Sequence, residues 1–166
     1  VTTAYLSGPM EYSVSQGIRW RRWYEKRLKK VGVKCIVPND LEQDVLSSLE
    51  VPLAELKLTN RERYKEIVRR FLITDLEEVG KSDFVIVKWT GEMTAGTPME
   101  AIHAVLRGIP VYLITGIPLD RVPGSLLSCC TEEFHSLEAL IEHLENNGLE
   151  GTEEEDQEED DDGENS

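Results

Sequence analysis

The chain has 166 residues, a formal net charge of −14 and 40% hydrophobic residues, and most of the charge sits at one end. Residues 150–166 hold 11 acidic side chains and no basic ones, which leaves residues 1–149 with 21 acids against 18 Lys and Arg. A nearly neutral body of that length is the size of one domain, 1–149, and excludes a multidomain protein. The segment 150–166, whose acidic run repels itself and has no apolar residue to bury, is expected to be a disordered tail.

The longest apolar run, around residues 109–114, is of strand length and far short of the ~18 residues that a membrane-spanning helix needs. The chain opens on a strand-like Val1-Thr2-Thr3-Ala4-Tyr5-Leu6 with no sign of a signal peptide, and Val1 in place of Met points to a trimmed or engineered start. Three cysteines, Cys35, Cys129 and Cys130, are an odd number without metal-ligand spacing, so a reducing cytoplasm is the expected compartment. Overall acidity argues against direct nucleic-acid binding, although eight of the 18 basic residues fall within 19–34.

Residues 2–7 are rich in strand formers and stop at Ser7-Gly8-Pro9, a turn signal. A helix follows, in which Trp20, Trp23, Tyr24, Leu28 and Val31 recur at three- and four-residue steps and Gly32 stands where a helix-ending glycine belongs. Its interleaved Arg and Lys read as a solvated face opposite a core-facing aromatic stripe. Residues 33–37 form a second strand, ended by Pro38-Asn39-Asp40. The weak pattern of 41–59 predicts a loop with one short helix, and the spacing from Tyr64 to Val79 predicts a long helix from Asn60 to near Gly80.

Residues 83–89 carry a continuous apolar run, Phe84 to Val87, before Lys88 and Trp89, which suits a parallel strand covered on both faces. Asp83 itself is expected to cap a turn. A polar loop, 90–96, leads to a helix over 98–107 with Pro98 in its first turn, followed by a buried strand over 109–115. The remainder predicts a loop over 116–124, a short strand within 126–131, and a last helix capped by Ser136. Alternating strands and helices predict an α/β three-layer sandwich, flavodoxin-like or Rossmann-like, with about five parallel strands.

In such sheets the ligand crevice lies beyond the carboxyl ends of the strands, at the reversal of strand order. The loops that matter are therefore Ser7-Gly8-Pro9, Pro38-Asn39-Asp40 and residues 89–97. The last of these runs into a helix start, Gly96-Thr97-Pro98-Met99-Glu100, where backbone N–H groups favour an anion.

Tyr5-Leu6-Ser7-Gly8-Pro9-Met10, then Asp75-Leu76 eight residues ahead of Asp83, then Gly96-Thr97-Pro98-Met99-Glu100-Ala101 followed by Gly108-Ile109-Pro110-Val111, together resemble the nucleoside 2-deoxyribosyltransferase superfamily. Order and spacing across residues 2–145 carry the resemblance. It implies cleavage or transfer of the bond between sugar C1′ and a nucleobase in nucleosides or nucleoside 5′-monophosphates, with no metal or organic cofactor. It also implies a homo-oligomer in which a neighbouring subunit helps close the site. Glu100 would be the nucleophile, Asp75 would contact the base or assist its protonation, and Tyr5 would orient the nucleophile. From their position in the crevice loops, and not from the resemblance, Ser7, Gly8, Pro9, Asp40, Gly96 and Thr97 are expected to line the substrate, although Ser7-Gly8-Pro9 also reads as a plain strand-ending turn. The family often carries an aspartate just ahead of the nucleophile, and Glu92 is the acid this loop offers.

Two carboxyl groups suit retaining glycosyl transfer, one attacking the anomeric carbon and the other protonating the leaving group. Arg19, with Arg21 and Arg22 close behind, follows the first loop and could reach a 5′-phosphate, which leans the substrate towards monophosphates. Other readings stand beside these. Thr97 and Glu100 also form a capping-box pattern, Asp75 could be a solvated carboxylate beside Glu77 and Glu78, and Tyr5 could be simple core. Cys35 reads as structural, and His103, nearly one turn past Glu100, could act on it electrostatically. The alternative to an enzyme is a nucleotide-binding or regulatory module that keeps the same crevice without turnover.

Overall fold

Four short segments rich in apolar, strand-forming residues and one acidic edge segment pair into one parallel sheet in the order β2-β1-β3-β4-β5. The computed structural model describes residues 1–9, 14–37, 39–92 and 94–148. The strands are β1 (Thr2–Ser7), β2 (Val33–Ile36), β3 (Phe84–Trp89), β4 (Val111–Thr115) and β5 (Glu132–Phe134). The helices are α1 (Val14–Lys29), α2 (Asn39–Ser47), α3 (Leu53–Thr59), α4 (Arg61–Lys81), α5 (Gly96–Leu106), α6 (Gly124–Cys129) and α7 (Leu137–Asn146), with a 3-10 turn at Leu119–Arg121. Among the described residues no helix is long and apolar enough to cross a membrane. The acidic segment 150–166 lies outside the described residues.

Each inner strand is covered on both faces, which is why its sequence shows no polar alternation. On one face Ala4, Leu6, Phe84 and Ile86 pack against Trp20, Tyr24 and Leu28 of α1 and Leu137, Leu140 and Leu144 of α7. On the other, Tyr5, Val85, Val87 and Leu113 pack against Val79 of α4, Ala101 and Ala104 of α5, and Leu126 of α6. At roughly 1.5–3 kcal/mol for each fully buried large apolar side chain, these two layers outweigh any surface ion pair in the molecule.

The helix ends follow local chemistry. Asn60 accepts a hydrogen bond from the Arg63 amide to open α4, and Ser136 accepts one from the Ala139 amide at 3.2 Å to open α7. After α1 the chain turns through Gly32 at φ 80°, a left-handed conformation that glycine adopts at least cost. Asp83 caps no turn; it clamps β3 to β1, accepting from the Thr3 amide at 2.7 Å and its hydroxyl at 3.0 Å. Those bonds hold its carboxyl below the usual range.

Three expectations are corrected. Residues 41–59 are not mainly loop: α2 and α3 occupy much of them, and α3 has no buried residue whose spacing could reveal it. Residues 126–131 hold no strand; they belong largely to α6, which buries Leu126 and Cys129 one turn apart, and the last strand is the acidic edge segment Glu132–Phe134. The aromatic stripe of α1 is incomplete as well, since Trp23 is 46% exposed.

Candidate active site

β1 lies between β2 and β3, so the strand order reverses there and a crevice opens at the carboxyl ends of β1 and β3. The register pairs Leu6 with Ile86 and Ser7 with Val87 at that end. Because side chains alternate along a strand, Tyr5 and Ser7 point to the same face, towards α5.

The buried face of α5 is Thr97, Glu100, Ala101 and Ala104, a three- and four-residue stripe whose small alanines let the helix approach the sheet. Glu100 is thereby driven inward and is only 9% exposed. The Tyr5 hydroxyl donates to its Oε1 at 3.1 Å, and the Ser7 hydroxyl donates to its Oε2 in a short contact. The capping-box alternative is not formed. α5 starts at Gly96 behind Ala95, no side chain caps it, and Thr97 Oγ1 is buried without a hydrogen-bond partner among the described residues.

Burial pushes the Glu100 carboxyl up, while the Ser7 and Tyr5 hydroxyls and the Arg21 charge pull it down. Asp75, half-buried on α4, has no such donors among the described residues. Burial first, then the charges of Glu100 and Glu42, push it up to about 8. Two nearby carboxyl groups rarely both ionise, and the one with the hydrogen-bond donors keeps the charge. The donors favour the charged form of Glu100 over that of Asp75, although burial, the largest cause, leaves the Glu100 carboxyl raised overall. The Tyr5 hydroxyl is pushed far up by burial and by these acids, so it remains a donor.

Asp75 and Glu42 share a cavity of about 110 Å³ between α2 and α4, walled also by Thr74, Phe71 and Arg70. Burial raises the Glu42 carboxyl too, against the pull of Arg21. A larger cavity of about 450 Å³ lies between α1 and α7, beside Trp23, Lys88 and Gly116. Its acid, Glu138, is exposed and paired with Arg27 at 2.6 Å, whereas Asp75 and Glu42 line the smaller cavity.

Of the residues singled out from the sequence, the fold gathers Tyr5, Ser7, Glu100 and Asp75. Gly8 sits at the same turn, where an added Cβ would lie 2.6 Å from the Trp20 ring. Pro9 and Gly96 are half-buried nearby, whereas Arg19 and Glu92 are exposed. Asp40 lies in the first turn of α2, its side chain outside what is described, as are Met10, Pro38 and Met93. His103 turns away from Glu100 and accepts from Arg107 Nε at 2.9 Å. Cys35 is buried and its thiol is pushed up to about 12. Among the described residues no His, Cys, Asp and Glu cluster could hold a metal ion.

Arg21 corrects the reading of the basic helix. It is 2% exposed, and it lies on a stripe with Gly17, Tyr24 and Leu28, all buried. That spacing is a core signal that its charge conceals. Glu42 is the other unforeseen member, placed in a segment whose pattern was too weak to assign.

No protein-family model matches the sequence, and no curated protein matches it either. Solved structures do. A 2-deoxyribosyltransferase of Bacillus psychrosaccharolyticus superposes with a TM-score of 0.66 at 14% identity, covering 90% of this chain and 98% of that one. A 2-deoxyribosyltransferase of Leishmania mexicana gives 0.61 at 15% identity, covering 90% and 100%. A conserved protein of Enterococcus faecalis V583 gives 0.58 at 15%, covering 89% and 99%. The chain has the fold of the nucleoside 2-deoxyribosyltransferases, the superfamily that its sequence resembles.

Proposed function

We propose that the protein cleaves or transfers the N-glycosidic bond of nucleosides, deoxynucleosides or their 5′-monophosphates, through a covalent sugar ester on Glu100. The observation that carries this reading is a buried carboxyl group, Glu100, held by two hydroxyl donors at the switch point of the sheet, and a second carboxyl group, Asp75, pushed up to about 8 by burial and by the charges of Glu100 and Glu42 supports it.

In the first step a Glu100 carboxylate oxygen bonds to C1′ as the C1′–N bond breaks. The bonding pair leaves on the base nitrogen, and the base takes up the proton of Asp75, directly or through its ring. The transition state is oxocarbenium-like, and the ionised Glu100 stabilises its positive charge. In the second step water, or the nitrogen of an incoming base, attacks C1′ and gives a proton to the Asp75 carboxylate while the ester oxygen returns to Glu100. Two displacements retain the configuration at C1′. An acid with its pKa near 8 is well matched to giving and taking a proton at neutral pH.

Tyr5 and Ser7 fix the direction of the Glu100 lone pairs, and the cavity shared by Asp75 and Glu42 supports seating the base edge on that side. Incubation with a panel of nucleosides and 5′-monophosphates, with release of free base followed by chromatography, tests the reading. A second free base in the mixture separates transfer from hydrolysis. Binding without release of base from any substrate would return the protein to a nucleotide-binding module.

A further inference from the structure

We propose that Arg21 is the positioning residue of this site, a guanidinium that clamps the backbone on both sides of Ser7 and so aims its hydroxyl at Glu100. The inference rests on the glycosidic reading above, but its geometry does not. Arg21 Nε donates to the Leu6 carbonyl at 3.2 Å, Nη2 to the Gly8 carbonyl at 2.9 Å and Nη1 to the Gly17 carbonyl at 3.2 Å. Leu6 and Gly8 flank Ser7, so one planar fork spans the turn and ties it to α1. Its carbon lies 4.5 Å from the centre of the Trp20 ring, and the same ring fills the space a Cβ on Gly8 would take. The turn is held from the cation side and from the aromatic side at once.

A buried guanidinium is costly unless something compensates its charge. Among the described residues Arg21 makes no ion pair, and its hydrogen bonds go to neutral carbonyls. The compensation comes from the site. Facing Arg21 are Tyr5 on β1, Glu42 on α2, Asp75 on α4 and Glu100 on α5, and among the described residues the cation it opposes is Lys88 on β3. The Arg21 charge pulls the carboxyl groups of Glu100, Glu42 and Asp75 down against the burial that raises all three, and at Glu100 the Ser7 and Tyr5 hydroxyls add to that pull. A cation fixed by backbone carbonyls cannot swing out to pair with one acid, so its field acts on all three. Lysine could supply the charge but not the fork that reaches Leu6 and Gly8 together.

The test uses Arg21→Met, Arg21→Lys and, as a control on the exposed side of the same helix, Lys26→Met, each checked for folding by circular dichroism and urea unfolding. Carboxyl carbon NMR of isotopically labelled protein follows the Glu100 titration without substrate, and kcat is recorded against pH. Arg21→Met is expected to raise the Glu100 midpoint by about one pH unit, to move the acidic limb of kcat with it, and to lower kcat about ten- to a hundredfold with KM nearly unchanged. Arg21→Lys is expected to restore the midpoint and leave kcat at least about tenfold low. A folded Arg21→Met protein with the parent's Glu100 midpoint overturns the proposal. So does full kcat in Arg21→Lys, which carries the test alone should the Met variant fail to fold. A parent that releases no base refutes the glycosidic reading instead, and the NMR titration still decides the role of Arg21.

Discussion

Replacing Asp75 by Asn should make the protein more stable and less active, and the gain in stability should depend on pH in a defined way. The carboxyl group has an ordinary value of 3.8 and is raised to about 8 in the folded chain. Between those values the folded protein holds a proton that the unfolded chain has released. The stability this group contributes is therefore complete below the unfolded value and is lost as pH rises towards the folded one, by up to about 1.4 kcal/mol per unit. At pH 7 that loss would be about 4 kcal/mol for a fully desolvated group. Asp75 is only half-buried, and solvent screening reduces the expected loss to about 2 kcal/mol. Asn does not titrate, so the difference between Asp75→Asn and parent should be small near pH 3.5, grow through pH 4 to 8 and then level off. Urea unfolding of both proteins at five or six pH values measures it. A difference that stays flat with pH, or a variant destabilised at pH 7, would refute the assignment of Asp75 as the protonated member of the pair.

Gly8→Ala should destabilise the protein by about 1–3 kcal/mol, because the new Cβ meets the Trp20 ring at 2.6 Å and the Lys88 carbonyl at 3.1 Å; thermal unfolding that leaves the midpoint unchanged would contradict the packing described here. Tyr5→Phe removes one donor to Glu100 while keeping the ring in the core, so kcat should fall about tenfold or more and the acidic limb of its pH profile should move upward as the carboxylate loses a stabilising bond. Ser136→Ala should cost about 1 kcal/mol in urea unfolding through the lost α7 cap; an unchanged urea midpoint would contradict the cap.

The parts of the site legible in the sequence were those where local pattern and chemistry agree. Glu100 follows a buried strand at a helix start and Tyr5 lies on the first strand, and the family resemblance joined these two, whereas Ser7 was expected on the substrate and its hydroxyl instead donates to Glu100. Arg21 was concealed because charge on an amphipathic helix ordinarily marks the solvated face, and only its alignment with Gly17, Tyr24 and Leu28 betrays burial. Glu42 was concealed because α2 and α3 bury too little for periodicity to show. The α6 segment misled for a third reason: six residues are too few to separate a helical period from an alternating one, and the true edge strand is polar because it is exposed. Whether Asp75 was solvated or half-buried among other acids could not be told from its neighbours Glu77 and Glu78, because burial and the charges on Glu100 and Glu42, which raise it, come from packing against other helices.

The central claim is that Glu100 forms a bond to the sugar. Incubation with a 2-fluoro-substituted nucleoside, which slows the breakdown of a glycosyl ester, followed by mass spectrometry of proteolytic peptides, tests it directly. The account predicts the mass of the fluorinated sugar on the peptide containing Glu100, its absence from Glu100→Gln, and a loss of turnover in that variant by several orders of magnitude. A Glu100→Gln protein that turns over near the parent rate, or an adduct on any other residue, would contradict it.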